Sequence, residues 1–281
     1  MIKPISLSEK LLFSTVRIEV NKTDTISIGT AFFFNINTKN GTIPLIFTNK
    51  HVVRNGVQMN ILLHTSVKEG DIATPLKESF EFSIFDCNKN WTNHPDSTID
   101  LCVMPIASLI KGMKEQGKDI FYIPLEMNCI YSDEKLEELS AVENVLMIGY
   151  PRGLWDKQNN LPLIRKGITA THPAIDHNGK SLGMVDMACF PGSSGSPILV
   201  VNEGSHNLKK GTLVIGDRLI LLGILFSGPV IDNDGNIREL ENDQSTTSGE
   251  NQLLIHLGYY IKAKEISELI NFFLEKNNIR I

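Results

Sequence analysis

The chain has 281 residues, of which 42% are hydrophobic and 21% charged. That is enough apolar material for one large domain or two small ones. Its 27 basic and 32 acidic residues leave a formal charge of −5, and the densest basic spot is only Leu208-Lys209-Lys210, so no nucleic-acid surface is expected.

Strand signals dominate the first half. Short stretches rich in β-branched and aromatic residues occur at 13–20, 27–36, 42–48, 57–66, 79–86 and 98–106. From 107 to 140 the pattern turns to short helical pieces, the second with Ser132 as an expected N-cap. Strand signals return at 143–150, 161–172, 181–190, 196–201, 212–228 and 253–261. Residues 202–211 read as a hairpin turn. The acidic, polar stretch 232–252 reads as a mobile loop. Near the C-terminus Ile266, Leu269, Ile270 and Phe273 recur at helical spacing, which predicts an amphipathic helix.

The longest uninterrupted apolar run, 219–226, is far shorter than the ~20 residues of a membrane span. The first twenty residues lack the apolar core of a secretory leader, so a soluble, cytoplasmic protein with no membrane partner is expected. Cys87, Cys102, Cys129 and Cys189 show neither a CxxC pair nor metal-ligand spacing; they read as buried thiols in a reducing compartment, with no metal or cofactor.

One segment asks for more than structure: "FPGSSGSPIL", 190–199. Gly, Ser and Pro clusters are ordinary turn chemistry. A serine hydroxyl becomes a nucleophile only when an imidazole can take its proton and an acceptor fixes that imidazole's tautomer. Backbone N–H groups must also meet the developing oxyanion. The sequence offers such a set. His51 follows the apolar strand in "PLIFTNKHVV", and Asp100 opens the apolar strand in "TIDLCVMPI", with Asp86 and Asp96 as rivals. Ser194 sits in the glycine-bearing turn, with Ser193 and Ser196 as rivals, and the amides of Gly192 and Ser194 are the expected oxyanion donors. His94, His172, His177 and His256 read as surface residues or residues packed behind the site. A phosphate-cradling role for "GSSGS" is disfavoured, because a strand rather than a helix follows and no Lys does.

Taken together, "GTAFFF", "LIFTNKHVV", "IDLCVMPI", "IGYPRGL", "RKGITA", "PGSSGSPIL" and "LGYYIKAKEISELI" resemble the trypsin-like serine peptidases, in particular the bacterial branch that includes the high-temperature-requirement proteases. The resemblance covers about residues 13 to 275 and follows the family's order. It implies an all-β fold of two antiparallel six-stranded β-barrels with a C-terminal helix. The expected organisation is a single peptidase unit over 1–281: an N-terminal barrel (1–110), a connector (111–142), a C-terminal barrel (143–262) and a helix (263–281). It also implies a serine endopeptidase acting on protein or peptide substrates through His51, Asp100 and Ser194. The alternative is a catalytically silent or partner-gated module that binds peptides, with a regulatory protein as its partner.

The resemblance places Ala188 at the base of the pocket for the side chain preceding the cut (P1). Phe226, Ser227 and Gly228 become the strand that pairs with substrate; Gly228 and Gly258 keep the pocket mouth open, with Tyr260 behind. No carboxylate is among them, so an uncharged, apolar P1 residue is expected, and a glutamate preference only if His172 or His256 reaches the pocket. Digestive members carry Asp just before the nucleophile to hold a newly cut N-terminus. Here Ser193 stands there, and no Ile-Val-Gly-Gly start is present, so activation of that kind is not expected.

Overall fold

The structure, a computed structural model, describes residues 1–70, 72–209, 211–231, 237–239 and 253–280; counts of strands, bonds and ion pairs hold for these. It opens with a one-turn helix, α1 (Leu7–Leu11), capped by Ser6 and Glu9 in reciprocal hydrogen bonds.

Five strands follow, interrupted by one helical turn: β1 (Thr15–Asn21), β2 (Ile26–Thr38), β3 (Gly41–Thr48), α2 (Lys50–Val53), β4 (Gln58–Glu69) and β5 (Ile72–Phe85). Two-residue β6 (Thr92–Asn93) and β7 (Cys102–Pro105) complete the path β5-β4-β1-β2-β3-β7-β6. After helix α3 (Ala107–Glu115), short strands β8 (Asp119–Phe121) and β9 (Leu125–Glu126) add to β4 and β2, giving a nine-stranded sheet. The six strands expected from sequence are β1 to β5 and β7; the extra three are two or three residues long, too short for an alternation to register.

A short helix, α4 (Asp133–Leu136), starts after Ser132 as expected, although the Ser132 side chain makes no capping bond. The second half closes a six-stranded barrel. Its strands are β10 (Asn144–Gly149), β11 (Leu163–Thr169), β12 (Leu182–Asp186), β13 (Pro197–Asn202), β16 (Arg218–Ser227) and β20 (Leu257–Lys262), joined in the order β10-β11-β12-β20-β16-β13. Between β13 and β16, β14 (Ser205–Asn207) and β15 (Leu213–Ile215) form a hairpin where the sequence reads as a turn. Between β16 and β20, β17 (Pro229–Ile231) pairs with β18 (Ile237–Glu239) and β19 (Leu253–Leu254). Of the expected loop 232–252, residues 232–236 and 240–252 lie outside the described residues, and 237–239 are strand. Helix α5 (Ala263–Lys276) ends the described fold and carries the predicted stripe: Ile266, Leu269, Ile270 and Phe273 are all buried.

Strand alternation explains how one sequence supplies several cores. In "AFFF", Phe32 and Phe34 face one way and Ala31 and Phe33 the other. Phe33, Ile46 and Met104 pack with β1 and β4 residues inside the N-terminal sheet. Phe32, Phe34, Phe47 and Val103 join Ile148, Leu199, Leu221 and the α5 stripe in a layer fed by both halves. Tyr260, Cys189, Met147 and Ile198 belong to a third cluster, in the C-terminal barrel. The all-β architecture with a closed six-stranded barrel, a second large sheet and a C-terminal helix is as the sequence implies.

Candidate functional site

β3 runs into α2 at Asn49, and the turn is held by Val52 and Val53, both buried. Gly29 makes room for Val52, since a Cβ there would overlap its methyl groups. His51 is thereby presented, half-buried, at the end of a rigid strand. Asp100 immediately precedes buried Leu101 and β7, which pairs with β3. The two meet: Nδ1 of His51 lies 2.5 Å from Oδ2 of Asp100, and the His51 N–H donates to Oδ1 at 3.0 Å. Asn49 Nδ2 donates to the Asp100 carbonyl at 2.8 Å, fixing the carboxylate's backbone. Of the rivals, Asp86 pairs with Lys89, and Asp96 accepts from Thr98.

The serine turn is tied to the same framework. Thr30 on β2 donates its N–H to the Ser194 carbonyl at 2.9 Å, and its own carbonyl accepts the Thr48 hydroxyl at 2.7 Å. Gly192 and Gly195 have φ of +86° and +87°, the left-handed region that glycine occupies without strain. A Cβ at 195 would overlap the Thr30 carbonyl oxygen, so β2 could not approach any other residue this closely. The three serines separate by exposure. Ser193 and Ser196 are fully buried, whereas Ser194 is half-buried. Ser196 Oγ donates to Thr30 Oγ1 at 3.2 Å, and Ser193 Oγ has a long 3.5 Å contact from Arg165 Nη1. Among the described residues, the N–H groups of Gly192 and Ser194 have no hydrogen-bond acceptor, and no hydrogen bond of 3.5 Å or less joins Ser194 to His51.

The expected pocket residues converge in part. Gly228 borders Gly258, and a Cβ at Gly258 would run into Cys189 Sγ and Leu225 Cδ1. Ala188, Phe226 and Ser227 are half-buried nearby in sequence. Tyr260 lies in the barrel core, 1% exposed, its ring filling the space left by Gly183; burial pushes its phenol pKa up. His172 Nδ1 accepts the Ala174 N–H in a local turn, and His256 lies edge-on to Phe190 at 6.5 Å. His94 is not on the surface: it is 3% exposed, with Nε2 3.3 Å from Glu265 on α5.

All four cysteines are free and buried. Burial pushes the Cys189 thiol up to about 12 and Cys129 up to about 11, and raises Cys102 well above its ordinary value, so none is an available thiolate. His94, Glu265 and Glu268 bring their ligand atoms within 4.8 Å of one another. However, His94 Nδ1 accepts the Asp96 N–H at 3.1 Å. With Nδ1 taken up as an acceptor, the ring proton sits on Nε2, which lies 3.3 Å from Glu265 Oε2 without forming a hydrogen bond and has no lone pair to offer a cation.

Two residues beside the turn are missing from the sequence reading: Arg152 and Arg165, whose guanidinium groups lie 5.5 and 4.7 Å from the Phe190 ring centroid. Both sit inside quoted landmarks, "IGYPRGL" and "RKGITA", but only the folded chain brings them to Phe190.

No curated protein matches the chain. Among solved structures, a serine endoprotease from Yersinia pestis is similar at 13% identity and TM-score 0.48, over 95% of this chain and 64% of that one. An HtrA-type protease with a tripeptide is similar at 15% and 0.47, over 95% and 62%. The chain thus spans less than two thirds of either. Tobacco etch virus protease complexed with product matches at 10% identity and TM-score 0.50, over 99% of this chain and 83% of that one, a likeness of fold. The model of the trypsin-like peptidase domain matches residues 29–205, more than half of the sequence, and the chain belongs to that family.

Proposed function

We propose that the chain is a serine endopeptidase in which Ser194 attacks the scissile carbonyl. His51 takes the hydroxyl proton and returns it to the leaving amine, and Asp100 orients the imidazole. The observation that carries this reading is the pairing of His51 Nδ1 with Asp100 Oδ2 at 2.5 Å. With its proton on Nδ1, the ring keeps a basic lone pair on Nε2 for the serine. The unspent amides of Gly192 and Ser194 are the donors for the oxyanion. The acyl-enzyme is then hydrolysed by water activated through the same imidazole.

The absence of a carboxylate among Ala188, Gly228 and Gly258 favours an uncharged, apolar P1 residue, with 226–228 adding the substrate backbone as a strand. Ser193, buried against Arg165, offers no charge to a cleaved N-terminus, so the turn does not depend on that form of activation. We assign 1–281 to one peptidase unit with the boundaries 1–110, 111–142, 143–262 and 263–281. Four buried free thiols favour a reducing, cytoplasmic setting.

A second reading is favoured by one feature, the lack of a Ser194–His51 hydrogen bond: a module whose site closes only when a partner or substrate binds. Such contacts are often long in unliganded sites and tighten on binding. Fluorophosphonate labelling decides. The wild type is expected to carry one adduct, mapped by mass spectrometry to Ser194 and lost in Ser194→Ala. Protein that never labels and cleaves nothing in a broad peptide library would leave the binding module.

A further inference from the structure

Buried guanidinium groups elsewhere in the chain have carboxylates opposite them: Arg17 pairs with Glu19 at 2.7 Å and Arg218 with Glu143 at 3.3 Å. Arg165 does not. It is half-buried on β11, its face over Phe190 at 4.7 Å, with only the long contact to Ser193 Oγ. Burial draws its pKa down, the Cys189 thiol opposing that shift. Arg152 shares the ring at 5.5 Å and likewise forms no ion pair among the described residues.

Arg152 is also held at φ 51°, ψ 26°, where glycine would cost less, and its N–H donates to the Pro191 carbonyl at 2.6 Å. Its N–H alone ties it to the 190–193 turn, which leaves the exposed guanidinium to lie over the Phe190 ring. Two unanswered positive charges therefore flank residues 190–193, one step from Ser194, on a chain whose net charge is −5. A half-buried guanidinium without a partner is costly, and its flat fork matches a carboxylate.

We infer that Arg165, together with Arg152, recognises an acidic side chain of the substrate flanking the bond to be cut, so that the substrate class is acidic peptides. This rests on the serine-peptidase reading of the same turn. It leaves the P1 pocket apolar if the acid falls at a neighbouring position, and replaces that assignment if it falls at P1.

The test uses quenched peptides with Glu or Gln placed in turn at each of the positions flanking the cut. Wild type is expected to prefer Glu at one or more positions by about tenfold in kcat/KM, the scale of one charge-assisted hydrogen bond. Arg165→Gln should bring the ratio close to one, the Glu peptide losing about tenfold more than the Gln peptide, Arg165→Lys should keep part of it, and added salt should shrink it. If Arg165→Gln slows both peptides alike, exposed Arg152→Gln decides by the same ratio. No Glu preference at any position, or a preference that survives both Gln substitutions, overturns the inference while leaving the peptidase intact. Wild type that neither labels with fluorophosphonate nor cleaves the Gln peptides overturns the peptidase reading first.

Discussion

At Asp100 the two carboxylate oxygens have different partners, Oδ1 the His51 N–H and Oδ2 the ring Nδ1. That division sets a clean test. Asparagine can keep the Oδ1 bond but presents an NH₂ to Nδ1, which forces the proton onto Nε2 and removes the base. We expect Asp100→Asn to lower kcat about 10⁴-fold, as tautomer reversal does in such sites, with little change in melting temperature. A drop below tenfold in steady-state assays would mean that Asp100 does not orient the base. The sequence could nominate His51, Asp100 and Ser194 because each stands where an apolar strand starts or stops, a pattern local to ten residues, and the first two do meet. The Arg165 contacts with Phe190 and Ser193 were not legible, since they join positions 25 and 28 residues apart through barrel closure.

Among the elements, α5 couples most of the molecule. Its stripe completes a layer to which β2, β3, β10, β13 and β16 all contribute, and Glu265 reaches His94 in the loop leading to Asp100. Leu269→Ala should cost about 2–5 kcal/mol in urea unfolding, the range for a buried leucine; a loss under 1 kcal/mol would show the helix to be a loose appendage. β4 carries a different liability. His64, 7% exposed and edge-on to Phe13, is held neutral by burial, with its pKa lowered to about 4. Between pH ~6.5 and 4 the unfolded chain binds a proton that the native chain refuses, so stability falls as pH drops through that window, by about 3 kcal/mol at pH 4. His64→Gln should flatten that part of the pH–stability curve, and an unchanged slope would contradict the assignment. Elements broke where the sequence ran smoothly: the single expected strand 212–228 divides at Gly216, whose φ of +133° and bond to Gly204 turn the chain out of the β14–β15 hairpin towards β16. The N-terminal helix was written in Ser6 and Glu9 and went unread, because five residues show no helical period.

Over the whole molecule, two sheets with different closures share one apolar layer, and the candidate site forms where β2 and β3 of the first meet the 190–196 turn of the second. Strand spacing and the terminal stripe gave an all-β chain with a C-terminal helix, and the two-barrel form was implied by the family resemblance alone. What spacing could not give is the state of the candidate site: a His–Asp pair already made, a Ser–His contact not made, and the Gly192 and Ser194 amides without an acceptor among the described residues. The account stands on these residues acting as one unit, which a kinetic cycle measures. With kcat/KM for Ser194→Ala, His51→Ala and the double variant, the account predicts that each single change loses several orders of magnitude and that the double loses scarcely more. Losses that multiply, or a single variant with near-wild-type rates, would contradict it.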